Sequence, residues 1–289
     1  MKKVNRNNGP IDIPLSCSFF LEPALDRFAP WVSDMDAQTL DFIHQWNAAL
    51  MAVMAEPKNR NLLGHLGQRI VRGMDLAPNF GNRCVESGGD MTSWSLLYAI
   101  RFTESLNFLA KKQAASHDIK FVDLGCGLSP MALIAKNAHR ISDAYCIDTE
   151  PIISDLYTQA ADKMGVCAPN FIDWTGVKDM APMGKINTLV GMGVFPYMPI
   201  EEQIARFNFI YEHISNFLIE IKYNPNPKRS IKNSFTLKTL QDIELNIENV
   251  DSLETTMLRN SLRYLHRFRR LLPDARKFVA AERSLFLSR

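Results

Sequence analysis

The sequence predicts an α/β protein: a seven-stranded, mostly parallel sheet with a terminal antiparallel hairpin, preceded by an all-helical N-terminal extension. Three observations predict it. From residue 120 onward, short apolar runs alternate with amphipathic stretches, the pattern of parallel strands joined by helical crossovers. The first of these runs, Phe121-Val122-Asp123-Leu124, leads directly into two glycines one residue apart, Gly125 and Gly127, and then into a helix signal. Residues 1–115 show helical spacing and no strand pattern.

Taken in order, residues 1–16 are polar, contain Gly and Pro, and read as a loose arm. Leu40, Ile43, Trp46, Leu50 and Met54 recur at intervals of three and four, which predicts a helix that Pro57-Lys58-Asn59-Arg60-Asn61 breaks. A second helix is expected from about Leu62 to Met74, a Gly/Pro/Asn-rich loop over 75–90, and a third helix from a Thr92 or Ser93 cap through Ala110. Beyond it, strands are expected at 120–124, 143–147, 169–172, 186–190, 216–222, 276–280 and 284–288. Helices are expected at 130–138, 151–164, 200–213 and within 236–272. Ser129 reads as the N-cap of the helix after the glycines, with Pro130 at its first position. The long connection that begins at Tyr223 leaves the fifth strand at the ligand edge, where long loops act as lids.

Composition narrows the function classes. A 46% apolar chain of 289 residues buries a substantial core, and a net charge of +2 supplies no global basic field for nucleic acid. The five cysteines are odd in number and scattered, which argues against a disulfide framework and for a reducing, cytoplasmic setting. There is no zinc-binding or metalloprotease spacing, so no metal is expected. No apolar run reaches the ~20 residues that span a bilayer.

The glycine turn marks a ligand site, because ligands of open α/β sheets lie outside the carboxyl ends of the strands. A dinucleotide fingerprint needs a third glycine, and a phosphate loop needs a Lys followed by Ser or Thr. This chain has neither at the turn. It does have Asp148, at the end of the next apolar run and about 20 residues beyond Gly127, where nucleotide folds place a ribose-binding acid. Together these features suggest a nucleoside without a pyrophosphate.

Val122-Asp123-Leu124-Gly125-Cys126-Gly127 resembles the first motif of class I S-adenosylmethionine (SAM) methyltransferases, and the resemblance extends over roughly residues 121–289. It implies a Rossmann-like SAM-binding domain over 116–289, and the helical spacing of residues 1–115 makes them an extension or lid on it. It also implies that Asp123, Gly125 and Gly127 border the cofactor, that Asp148 binds the ribose, and that Asp173 and Trp174 meet the adenine. Gly191, at the end of the fourth strand, would sit beside the cofactor. Next to it, Gly191-Met192-Gly193-Val194-Phe195-Pro196-Tyr197 faintly resembles the Asn-Pro-Pro-Tyr motif of amino-group methyltransferases, with Val194 in place of the polar Asn. Phe195 then becomes a substrate neighbour, and Tyr197 a residue facing the sulfonium or the acceptor.

Other candidates rest on the residues themselves. Trp94, Tyr98 and Arg101 share one helix face, where Arg101 offers a fork of donors to the cofactor's carboxylate and the two aromatics offer a substrate wall. Glu220, an acid within an apolar strand, needs a partner and is a candidate base or substrate contact. Arg259, Arg263, His266, Arg267 and Arg270 form a basic helix face, either solvated or directed at nucleic acid.

The expected reaction is SAM-dependent methylation of a small-molecule metabolite. One alternative is 16S rRNA methylation. Gly125-Cys126-Gly127-Leu128-Ser129-Pro130-Met131-Ala132-Leu133 is similar to a stretch of the aminoglycoside-resistance rRNA enzymes, although Ser129 replaces their Asn and the helical extension lacks their basic excess. Another is a non-methylating enzyme that uses the aminobutyl arm of SAM and releases methylthioadenosine.

Overall fold

The computed structural model describes residues 37–54, 56–59, 92–116, 118–141, 143–222 and 284–289. The expected helices at 62–74 and within 236–272, the strand at 276–280 with its hairpin, and the basic face from Arg259 to Arg270 lie outside the described residues. So do the side chains of Trp94, Tyr98 and Arg101, whose backbone is helical.

Among the described residues, two helices precede the sheet, α1 (Ala37–Met54) and α2 (Thr92–Ala115). A single 3-10 turn, Pro57–Asn59, follows α1 close to the expected break. The sheet then builds as β1 (Phe121–Leu124), α3 (Met131–Asn137), β2 (Ala144–Ile147), α4 (Pro151–Met164), β3 (Asn170–Phe171), α5 (Trp174–Met180), β4 (Thr188–Gly191), α6 (Ile200–His213) and β5 (Asn216–Lys222). Among the described residues, β6 (Ser284–Ser288) is the last strand of the sheet. The strand order is β3-β2-β1-β4-β5-β6. β1 to β5 are parallel, and β6 runs antiparallel against β5. Among the described residues there are thus six strands, five of them parallel.

Local chemistry explains the element ends. Pro151 opens α4, where a missing N–H costs nothing, and Gly165 closes it in the left-handed region at φ +69°. The N–H groups of Gly165 and Val166 return to the carbonyls of Asp162 and Ala161. The helix after the glycines begins one residue later than expected. Pro130 occupies its cap position without a side-chain hydrogen bond, so Ser129 does not cap it. α5 is a helix absent from the sequence expectation; it is one of the shortest, and Gly176 interrupts its apolar pattern.

Strand alternation divides the core in two. Phe121, Ala144, Cys146, Val190 and Leu218 face one side, together with Ile43, Trp46, Leu50 and Val53 of α1 and Phe102, Leu106 and Leu109 of α2. Val122, Leu124, Leu189, Phe217 and Ile219 face the other, against Val177 of α5 and Phe207 and Ile210 of α6. The N-terminal helices therefore share a core with the sheet. α1 lies on α4, and beyond its end Lys163 pairs with Glu56 at 2.9 Å while Asn59 Nδ2 donates to Gln159 at 3.2 Å. Among the described residues, no helix is long and apolar enough to cross a membrane.

Strand order reverses at β1. The chain moves outward through β2 and β3, then returns to place β4 on the other side of β1. The crevice between the carboxyl ends of β1 and β4 is the topological switch point, the standard ligand position of this architecture.

Candidate functional site

The turn after β1 is pinned to the end of β2. Gly125 N and Cys126 N both donate to the Ile147 carbonyl, at 2.7 and 3.0 Å. Gly127 N donates to Asp148 Oδ2 at 2.9 Å, and Glu150 N donates to Asp148 Oδ1 at 3.0 Å. The second bond is an Asx turn, in which the acid side chain holds the backbone two residues on. Each carboxylate oxygen thus carries a backbone donor. An ionised carboxylate has about four acceptor sites, so it can accept more than these two bonds.

Gly125 and Gly127 both lie in the left-handed region, at φ +70° and +51°. Their surroundings differ. A Cβ on Gly125 would overlap Cγ2 of Val194, in the segment that follows β4. A Cβ on Gly127 would meet nothing within 4 Å among the described residues. Among the described residues, the switch point is therefore closed at Gly125 by Val194 and open above Gly127. Gly125→Ala combines a strained backbone with an overpacked contact, and is expected to cost about 2–5 kcal/mol of stability. Urea unfolding checks this, and adding Val194→Ala should relieve the overlap but not the backbone strain.

Asp123 lies on β1 beside this turn. It is 6% exposed, and its Oδ2 is buried with no hydrogen-bond partner among the described residues. Burial, and secondarily the Asp148 carboxylate, push its pKa up to about 8. The thiols of Cys126 and Cys146 neighbour it, and burial pushes both of them upward too, so they stay neutral. A buried acid with an orphaned oxygen beside an open backbone cradle lacks a donor or a cation. SAM offers cationic groups and a pair of ribose hydroxyls, so this donor-seeking set of residues fits it.

The segment after β4 is held from below. Glu220 on β5 is fully buried, and its Oε2 accepts from Gly193 N at 2.8 Å. Gly193 precedes Val194, which packs at Gly125, so β5 braces the β4 segment against the β1 turn. Glu220 thus has a backbone partner at the site's floor. Gly191 is equally enclosed. A Cβ there would lie 3.1 Å from Ile219, 3.3 Å from Phe195 and 3.4 Å from Leu124. Phe195 is 0% exposed and belongs to the core on the α5–α6 side, whereas Tyr197 on the same 3-10 turn is 43% exposed.

Asp173 and Trp174 stand at the end of β3. Asp173 is the N-cap of α5, its Oδ1 accepting from Gly176 N at 2.8 Å. Trp174 is half-buried, edge-on to Phe209 with ring centroids 5.7 Å apart, with the Arg206 guanidinium 4.7 Å over its ring.

Two residues at this site escape the sequence reading. Trp46 of α1 donates through Nε1 to the Leu128 carbonyl at 3.0 Å, and Tyr157 of α4 donates through its hydroxyl to the Ser129 carbonyl at 2.9 Å. Helical spacing marks both as core residues. Only the rule that a buried indole or phenol needs a hydrogen-bond partner hints at more, without naming one. Among the described residues, no group of three or more His, Cys, Asp or Glu side chains could hold a metal.

The strand order, the glycine turn at the switch point and the acid at the end of β2 define a doubly wound, Rossmann-like α/β fold with its ligand position after β1. No protein-family model and no curated protein matches the sequence. Among solved structures, the chain is similar to magnesium protoporphyrin IX methyltransferase (ChlM) from Synechocystis PCC 6803 with bound SAM. The two are 19% identical over 61% of this chain and 83% of that one, with a TM-score of 0.37. It is also similar to the plantazolicin methyltransferase BpumL in complex with SAH, 14% identical over 78% and 79% of the two chains, with a TM-score of 0.38. A third similar structure is a mutant of MtNAS in complex with SAM, 15% identical over 72% and 84%, with a TM-score of 0.33.

Proposed function

We propose that this chain is a SAM-dependent methyltransferase whose acceptor is a small molecule. One observation carries the reading. The Asp148 carboxylate is oriented by the Gly127 N–H at a topological switch point, next to a buried acid with an orphaned oxygen. When bound, SAM supplies a methyl group already activated by its sulfonium.

The chain's own residues then bind and position. Asp148 accepts from the ribose hydroxyls, and Gly127 leaves room for the cofactor to lie against the backbone. The ionised form of Asp123 balances the cofactor's positive charge. Arg101 is assigned to the cofactor's carboxylate, and Asp173 with Trp174 to the adenine edge. Glu220, through Gly193, sets the height of the segment carrying Val194 and Tyr197. Tyr197, exposed on that segment, orients the acceptor, and the sequence assigns Trp94 and Tyr98 to the substrate. Such an arrangement contributes mainly by holding two reactants in line, which can supply about 7–11 kcal/mol of the barrier. From the odd number and scatter of its five cysteines we assign the protein to a reducing, cytoplasmic setting.

Incubation with methyl-labelled SAM and whole-cell extract tests the proposal. S-adenosylhomocysteine (SAH) should accumulate, with label in the acid-soluble small molecules. Label in ribosomal RNA would move the protein to the RNA-modifying alternative. Methylthioadenosine in place of SAH would show that the aminobutyl arm, not the methyl group, is transferred.

A further inference from the structure

The geometry points to Trp46 and Tyr157 as positioning residues of the cofactor loop, with α1 acting as a part of the binding site rather than only as packing. The inference rests on the SAM-binding reading above, and gives two core residues a role at the loop that neither the motif nor the helical spacing indicates.

Two consecutive carbonyls of the loop, those of Leu128 and Ser129, are each held by one aromatic donor. The donors come from different helices and pack against each other, ring centroids 4.5 Å apart and planes tilted by 48°. Tyr157 also meets Phe171 of β3 edge-on at 5.6 Å. Both aromatic side chains are fully buried. α4, which carries Tyr157, begins three residues after Asp148, and α1 is tied to α4 again by the Glu56–Lys163 pair. The glycine turn is therefore fixed at both ends. On one side its N–H groups reach Ile147 and Asp148; on the other its carbonyls reach Tyr157 and Trp46.

This second anchor matters because both glycines of the turn lie in a region few other residues enter, and glycine has the least restricted backbone of any residue. Without the carbonyl anchors, the Gly127 N–H would hold Asp148 only part of the time. A loop that must be ordered on binding lowers affinity. The aromatic pair removes that cost beforehand.

Tyr157→Phe keeps its ring and deletes one donor, while Trp46→Phe deletes the other donor and also shrinks the buried ring. Either should weaken SAH binding about tenfold, the equilibrium equivalent of one net hydrogen bond. Val53→Ala, on the same helix but away from the loop, separates positioning from packing. It should lower the unfolding midpoint at least as much while leaving the SAH dissociation constant within about twofold, because it removes only buried methyl groups. The Trp46 indole should also report directly. Tryptophan emission of the native chain should change on SAH addition, and the change should shrink in Trp46→Phe. Equal weakening by Val53→Ala and Trp46→Phe, or native affinity in both Phe variants, would overturn the inference. Failure of the native chain itself to bind SAH would instead overturn the underlying reading.

Discussion

Asp148→Ala should lower SAH affinity by at least about 100-fold, as measured by calorimetry. Two ribose hydroxyls donating to one carboxylate are charge-assisted bonds, each worth about 1.5–3 kcal/mol, and about 1.4 kcal/mol is tenfold in a dissociation constant. The substitution also frees Gly127 N and Glu150 N, the two donors that shape the turn. Stability should fall as well, by about 1–2 kcal/mol, for the loss of those backbone bonds. Asn is not a conservative replacement here. Its amide has one acceptor and one donor end, whereas both oxygens of Asp148 face backbone N–H groups. Whichever way the amide turns, one N–H meets another donor. Asp148→Asn should therefore resemble the Ala variant more than the native protein.

Asp123→Asn should change the pH dependence of both stability and binding. The native carboxyl holds its proton up to about 8, against an ordinary value of 3.8. Between those values the folded chain binds more protons than the unfolded one. Stability is therefore greatest below about 4, declines as pH rises through the window, and levels off above about 8. Asn cannot ionise, so the variant should lose this slope. It should be closest to native stability near pH 4 and exceed it at pH 8. Binding should run the other way. A cationic ligand prefers the ionised carboxylate, so native affinity for SAM should rise with pH, by at most about tenfold per unit, and flatten near 8. The groups around Asp123 do not mask this. Cys126 and Cys146 remain neutral, and Asp148 adds negative charge, which favours the same ligand. In Asp123→Asn the rise should vanish and the affinity at pH 8 should drop. A native affinity independent of pH between 6 and 8 would show that this acid does not face the ligand.

The parts of this protein that are legible in its sequence are those fixed by local chemistry. α4 and α6 begin and end at the expected residues because Pro151, Gly165 and Pro199 punctuate them. β1, β2 and β5 lie within a residue of expectation because apolar runs in a parallel sheet are continuous and sharply bounded. The place of Asp148 near the glycine turn follows from where nucleotide folds keep an acid, whereas its hydrogen bond from Gly127 N emerges only in the structure.

Features that depend on distant contacts are not legible. Nothing near Trp46 in the sequence indicates that its indole reaches Leu128, because the contact spans 82 positions. The family resemblance makes Asp173 a ligand-facing acid, and its observed bond is the cap of α5, a helix too short to leave a periodic signature. The orphaned oxygen of Asp123 cannot be foreseen either, since it depends on how tightly β2 and β4 close around β1. Glu220 stands out in the sequence as an acid needing a partner, and the partner is the backbone of a segment 27 residues earlier.

The most direct measurement is a calorimetric titration of the folded chain with SAH at pH 8, beside the Asp148→Ala variant. A saturable, one-to-one heat in the native protein that disappears in the variant is the expected result. No saturable heat in a chain shown to be folded, or equal affinity in the two proteins, would contradict a cofactor held at the turn after β1 by the acid at the end of β2.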